Sequence, residues 1–128
     1  METDFAKIWV IAGGVYNLAF AIFHFLFWRL FRWKQDLPNL APVNRAIMQV
    51  LNIRLIYVFI GFAYISFFFT NELISTRLGR QILLFIAVFW IMRAGEQKIF
   101  FELRNRVSIA LFIFFLCGGV IYLLPLIY

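Results

Sequence analysis

The chain has 128 residues, of which 65% are hydrophobic, 21% are aromatic and only 14% are charged. A soluble domain of this size cannot bury so much apolar surface, so the composition excludes one and indicates a chain whose solvent is lipid. The formal net charge is +6, but the cations crowd the ends of apolar segments. Such cations anchor helices to headgroups and set topology, so the sequence predicts no nucleic-acid partner.

Four apolar segments follow one another along the chain, and each is long enough to cross a bilayer, which needs about 20 mostly apolar residues. They predict an all-α fold: a polytopic membrane protein with one transmembrane domain, residues 1–128, that forms a four-transmembrane-helix up-and-down bundle. The predicted helices cover about residues 8–28, 44–69, 80–101 and 107–128. The first lacks a small-residue cleavage site and is predicted to be retained.

The first segment carries a small and polar stripe within a surface of Phe, Leu and Ile. Spacings of three and four residues place this stripe on one helical face; it consists of Gly13, Asn17, Ala21, His24 and Trp28. Small residues allow helices to approach closely in lipid, so the stripe is predicted to face protein. The alternating aromatic and basic residues that follow, from Trp28 to Lys34, are typical of an interfacial anchor.

The second segment has two polar faces. One face carries Arg45, Gln49, Asn52 and Ile56, and the opposite face carries Arg54, Tyr57, Gly61 and Tyr64. A spanning helix with two polar faces needs protein on both sides, because polar groups are expensive in lipid. We therefore interpret Arg54 and Tyr57 as candidates for an oligomer or partner interface.

The third segment carries Arg93, Glu96 and Gln97 near its end, and Arg93 and Glu96 are spaced to form a structural ion pair. Gly79 is predicted to mark the break before this segment. The fourth segment contains no charge. Its pair Gly118-Gly119 and the pair Gly13-Gly14 are predicted to form a close crossing of the first and fourth helices.

Counting cations predicts the orientation. The surface that holds the first and third connections, side A, collects nine of the twelve cations; the opposite surface, side B, has Lys7, Arg77 and Arg80. The nine are Arg29, Arg32, Lys34, Arg45, Arg54, Arg93, Lys98, Arg104 and Arg106. The positive-inside rule then places side A in the cytoplasm and both termini outside, and the short loops fit a bacterial inner membrane.

Up-and-down threading brings His24, Asn52 and Arg93 to similar depths, about 7 to 11 Å below side A. The sequence therefore predicts a shallow polar cluster that opens to the cytoplasm and binds ligand. Its candidate residues are Asn17, His24, Gln49, Asn52, Arg93, Glu96 and Gln97. Each also has a structural interpretation, as interhelical hydrogen bonding or as the ion pair. One histidine and one cysteine predict no protein-only metal site, and the sequence names no cofactor.

Three classes of function remain open at this point. The first, which we favour, is an accessory or scaffold protein, or an amphiphile-binding protein. Its partners would be membrane lipid, an anionic amphiphile, further copies of the chain or a larger membrane complex. The second is an enzyme acting on a lipophilic substrate, and the third is an oligomeric transporter.

The enzyme alternative follows from a short resemblance. The stretch RAIMQVLN, from Arg45 to Asn52, resembles the second-helix pattern of the MAPEG family of membrane glutathione-dependent enzymes, in which an arginine precedes an asparagine and then a glutamate. That family has four helices, outside termini and an arginine-rich site facing the cytoplasm. This chain has Gln49 and Asn52 at the corresponding places, so the acid is missing, and the resemblance does not carry an activity over.

Overall fold

The computed structural model describes residues 2–128, and long helices dominate it. The spanning helices are α1 (Glu2–Phe25), α4 (Pro42–Phe68), α6 (Arg77–Phe100) and α7 (Arg106–Ile127). Short helices lie between them: α2 (Phe27–Leu30), α3 (Trp33–Asp36), a 3-10 turn (Leu37–Asn39) and α5 (Thr70–Ser75). All four long helices are apolar enough to cross a membrane. The predicted all-α, four-helix membrane fold is confirmed.

Some helices begin or end at residues other than the predicted ones, because polar residues extend a helix beyond its apolar segment. Helix α1 begins at Glu2 rather than near residue 8, because acidic side chains in a first turn interact favourably with the helix dipole. It ends at Phe25, and Trp28 belongs to the separate turn α2. Helix α6 begins after Thr76, whose hydroxyl accepts a hydrogen bond from the Gly79 amide at 2.9 Å. Gly79 therefore lies inside α6 rather than at the break.

The four long helices form a ring in the order α4, α1, α7, α6. Helix α1 packs along α4 and α7, and α7 packs along α6. Helices α4 and α6 meet mainly through aromatic rings, where Phe59 stacks on Trp90 at 5.1 Å and Phe62 meets Phe89 at 5.4 Å. Up-and-down threading brings the end of α1, the start of α4, the end of α6 and the start of α7 to side A.

The expected crossing of α1 and α7 is built from glycines that each receive a tyrosine ring of the other helix. A Cβ on Gly13 would overlap the Tyr122 ring, and one on Gly118 would lie 2.5 Å from the Tyr16 ring. Only glycine leaves room for these contacts. The neighbouring glycines serve other helices, since Gly119 of α7 packs against Ile91 of α6.

Candidate functional site

The first polar cluster joins α1 to α4 near side A. The Nδ1 atom of His24 lies 2.9 Å from Oδ1 of Asn52, and Nδ2 of Asn52 donates to the backbone carbonyl of His24 at 3.0 Å. That carbonyl belongs to the last turn of α1, where backbone oxygens have no partner within the helix. Asn52 therefore binds the side chain of His24 and also caps the end of α1.

These two contacts also fix the protonation of the imidazole nitrogen that faces Asn52. A carbonyl oxygen only accepts, so the amide nitrogen of Asn52 must face the His24 carbonyl, and the amide oxygen must face the ring. Nδ1 of His24 then carries the hydrogen and donates it. The ring stacks on Phe27, with centroids 4.1 Å apart, and it lies 5.1 Å from the Phe59 ring. These contacts pack the imidazole ring of His24 and fix its orientation.

Asn52→Leu is expected to lower the free energy of unfolding by about 1–2 kcal/mol, because it leaves two groups of α1 without partners. Gln49→Leu is the matched control. Gln49 donates only to the Arg45 carbonyl of its own helix, at 3.2 Å, so its loss is expected to cost under about 0.5 kcal/mol. Denaturation in mixed micelles measures both. Equal losses for the two variants would contradict the interhelical role of Asn52.

A second cluster, deeper in the bundle, joins three helices at full burial. Nδ2 of Asn17 donates to the Tyr122 hydroxyl at 2.8 Å and to the Gly13 carbonyl at 3.0 Å. The Tyr122 hydroxyl lies 2.7 Å from Oγ of Ser66, and all three side chains are fully buried. Asn17 of α1, Ser66 of α4 and Tyr122 of α7 thereby form one chain of hydrogen bonds.

The direction of this chain follows from its proton count. Ser66 has one hydroxyl hydrogen and donates it to the Phe62 carbonyl at 2.7 Å. Its Oγ must therefore accept from the Tyr122 hydroxyl, which in turn accepts from Asn17. The sequence interpretation found Asn17 but missed Ser66 and Tyr122. The signal that could have found them is depth, since both hydroxyl groups lie at the level of Asn17, to which they are linked.

The third cluster belongs to α6 and α7. Arg93 donates to Oε1 of Gln97 at 3.2 Å, and Nε2 of Gln97 donates to Oγ of Ser108 at 3.1 Å. The Ser108 hydroxyl in turn contacts the Glu102 carbonyl. The Arg93 guanidinium lies over the Phe115 ring, 4.4 Å from its centroid, where a cation–π interaction stabilises it. Arg93 therefore faces α7 and does not hydrogen-bond to His24 or Asn52.

Glu96 lies outside this cluster. It is exposed, and the one ion pair among residues 2–128 joins Arg104 to Glu102 at 2.6 Å. The expected ion pair of Arg93 with Glu96 is therefore not formed. The reason is that Arg93 turns toward the interior of the bundle, where Gln97 and the Phe115 ring receive it.

The remaining candidates lie on α4. Gln49 is half-buried and hydrogen-bonds only within its own helix. Arg54 and Tyr57 are exposed on the outer surface, and Tyr57 retains 72% of its accessible area. The predicted set thus divides into three separate clusters and an outer face. Two surface cavities, of about 290 and 240 Å³, are lined by none of the candidate residues.

Within residues 2–128, no three His, Cys, Asp or Glu side chains are placed together to hold a metal ion. Comparison with protein-family models, with curated proteins and with solved structures finds no match for this chain. Fold and site geometry therefore define its class, an integral membrane protein built as a four-helix bundle.

Proposed function

We propose that this integral membrane protein is a non-catalytic accessory or scaffold protein that associates in the bilayer through the outer face of α4. One observation carries the proposal. The polar side chains inside the bundle bind helices to one another, whereas Arg54 and Tyr57 are exposed on the outer surface of the spanning helix α4. Polar groups that face lipid are expensive, and a protein partner relieves that cost.

The positive charge of side A supports a cytoplasmic location for that surface, with both termini outside. The short connections between the spanning helices support a bacterial inner membrane. In this orientation the His24–Asn52 and Arg93–Gln97 contacts lie in the cytoplasmic half of the bundle.

A second candidate function, binding of an anionic amphiphile, is favoured by Arg93. Its Nη1 atom is buried and has no hydrogen-bond partner among the residues that the structure describes. A phosphate or carboxylate at side A would satisfy it. The enzyme alternative finds less support, because Asn52, within the stretch that resembles MAPEG enzymes, is already bound to His24.

Native mass spectrometry of the purified protein, released gently from detergent, tests the first proposal. An oligomer or a complex with a defined partner is expected, without a stoichiometric small molecule. Replacing both Arg54 and Tyr57 by alanine is expected to release the monomer. Ile113→Ala, at an exposed position of α7, is the control and leaves the assembly intact.

Two outcomes would overturn this proposal. One is a monomer that carries a stoichiometric anionic amphiphile lost on Arg93→Ala, which would select the second candidate. The other is an assembly that survives removal of both Arg54 and Tyr57, which would exclude the outer face of α4 as the contact.

A further inference from the structure

Two charged side chains lie on the outer surface of α4 and α6, Arg54 on the first and Glu96 on the second. Both are exposed. The ion pair of Arg104 with Glu102 is the only one within residues 2–128, so neither Arg54 nor Glu96 has an ionic partner there. Charges on a lipid-facing surface are stabilised by an opposite charge.

On α4, the neighbours of Arg54 fix its direction. Asn52 faces α1, because it binds His24, and Phe62 faces α6, because it meets Phe89. At about 100° of rotation per residue, Arg54 lies about 200° from Asn52 and about 80° from Phe62. Arg54 therefore lies on the side of α4 that is turned away from α1 and next to α6.

On α6, the neighbouring residues fix the direction of Glu96 in the same way. Ala87 faces α7, because its carbonyl oxygen would lie 3.3 Å from a Cβ on Gly119, and Phe89 faces α4. At about 100° per residue, Glu96 lies about 180° from Ala87 and about 20° from Phe89. Arg54 and Glu96 are therefore on one outer side of the bundle. This α4/α6 face is defined by Arg54, Gly61, Phe85, Phe89 and Glu96.

Arg54 and Glu96 also share a depth in the membrane. The ring of Phe59 lies 5.9 Å from that of Phe89 and 5.1 Å from that of Trp90, so these residues mark one level. Helices α4 and α6 are antiparallel, and Arg54 and Glu96 both lie toward side A from that level. At about 1.5 Å per residue, their backbones differ in depth by about 2 Å.

We propose that two copies of this chain form a dimer through the α4/α6 face, with Arg54 of each copy paired to Glu96 of the other. This inference rests on the proposed function and names its partner as a second copy. Copies in one membrane share their orientation, so a two-fold axis along the membrane normal keeps every residue at its depth. Opposite charges at one depth on one face then become two reciprocal ion pairs.

The packing of the face fits the same dimer. A Cβ on Gly61 would meet nothing within 4 Å, so this part of α4 is open in the single chain. By the same depth scale, Gly61 lies level with the gap between Phe85 and Phe89 of α6. A small residue level with large rings lets the helices of two copies approach closely. Phe85 is 68% exposed and is available for that contact.

Energy transfer between labelled copies of the full chain measures the dimer in phosphatidylcholine vesicles. Labels attach at Glu2→Cys in a Cys117→Ser background, away from the face. Arg54→Glu and Glu96→Arg are each expected to weaken the dimer at least tenfold, and the double swap is expected to restore it to within about threefold. Gly61→Leu is expected to weaken it without lowering thermal stability.

Lys98→Glu is the matched control, because it reverses an exposed charge on α6 two residues from Glu96, on a different side of the helix. The dissociation constant of the dimer formed by this variant is expected to be unchanged. A chain that stays monomeric at every protein-to-lipid ratio would overturn the dimer and leave the accessory function to another partner. Single variants that weaken the dimer without rescue by the double swap would assign Arg54 to lipid phosphate and overturn the pairing. Single variants that lower only thermal stability would indicate an Arg54–Glu96 pair within one chain.

Discussion

Gly79→Ala is expected to lower the free energy of unfolding by about 3 kcal/mol, which is the upper end of the usual cost of inserting a larger side chain into a packed site. A Cβ at this position would lie 2.5 Å from Cα of Leu73 and would overlap the Glu72 carbonyl oxygen. Both atoms belong to the backbone of α5, so no side-chain rotation relieves the overlap. Helix α5 would have to move and withdraw Leu73, which is only 2% exposed, from the core.

Gly95→Ala is the control for this prediction because it removes a glycine from the same helix. A Cβ there meets nothing within 4 Å, and alanine is the better helix former by about 0.5–1 kcal/mol, so a gain is expected. Thermal unfolding in detergent compares the two variants. The hydrogen bond from the residue 79 amide to Thr76 survives the change, so the loss reports the steric overlap. A loss below about 1 kcal/mol would contradict the steric overlap and show that α5 moves away from α6 at little cost.

The fold was predictable because the length and polarity of each apolar segment leave few alternatives in lipid. A backbone in hydrocarbon must satisfy its own hydrogen bonds, so four apolar runs of this length form four helices. The helix ends were less predictable. At side B, Glu2 and Arg77 continue helices beyond the apolar runs, and only the dipole interaction and the Thr76 cap show why.

The sequence predicted the depth of the candidate side chains in the membrane, but not which neighbouring helix each one faces. Counting residues placed His24 and Asn52 at one level, and they do bind each other. The same count placed Arg93 beside them, although Arg93 turns toward Gln97 and the Phe115 ring of α7. Depth follows from the rise per residue, whereas direction depends on which helices are neighbours, and a single sequence does not give that order.

The other residues that the sequence interpretation missed all carry hydroxyl groups. Ser66, Ser108 and Tyr122 each stand within apolar runs, where one hydroxyl changes the hydropathy pattern little. In the folded bundle Tyr122 accepts from the amide of Asn17 and Ser108 accepts from the amide of Gln97, whereas Ser66 accepts from the Tyr122 hydroxyl. The amide nitrogens of Asn17 and Gln97 thus find hydroxyl partners at their own depth.

Trp90 sits at the centre of the bundle, and the role of its ring differs from the role of its indole nitrogen. The ring is 1% exposed and is stacked between Phe59 at 5.1 Å and Phe115 at 5.9 Å. Tyr16 and Phe20 contact it from α1, at 4.8 and 4.9 Å. All four spanning helices therefore meet at this ring. The indole Nε1 has no hydrogen-bond partner among the described residues, so its burial costs free energy.

Trp90→Ala is therefore expected to lower the free energy of unfolding by about 3–5 kcal/mol, because it leaves a cavity that four helices cannot close. Trp90→Phe is expected to change it by less than about 1 kcal/mol, since the smaller ring keeps the stacking and removes an unsatisfied donor. Trp28→Ala, at a half-exposed interfacial ring, controls for loss of a tryptophan. Denaturation by sodium dodecyl sulfate in mixed micelles ranks the three variants. If Trp90→Phe costs as much as Trp90→Ala, the indole N–H has a partner in the membrane, and the centre of the bundle is a polar site rather than a packed core.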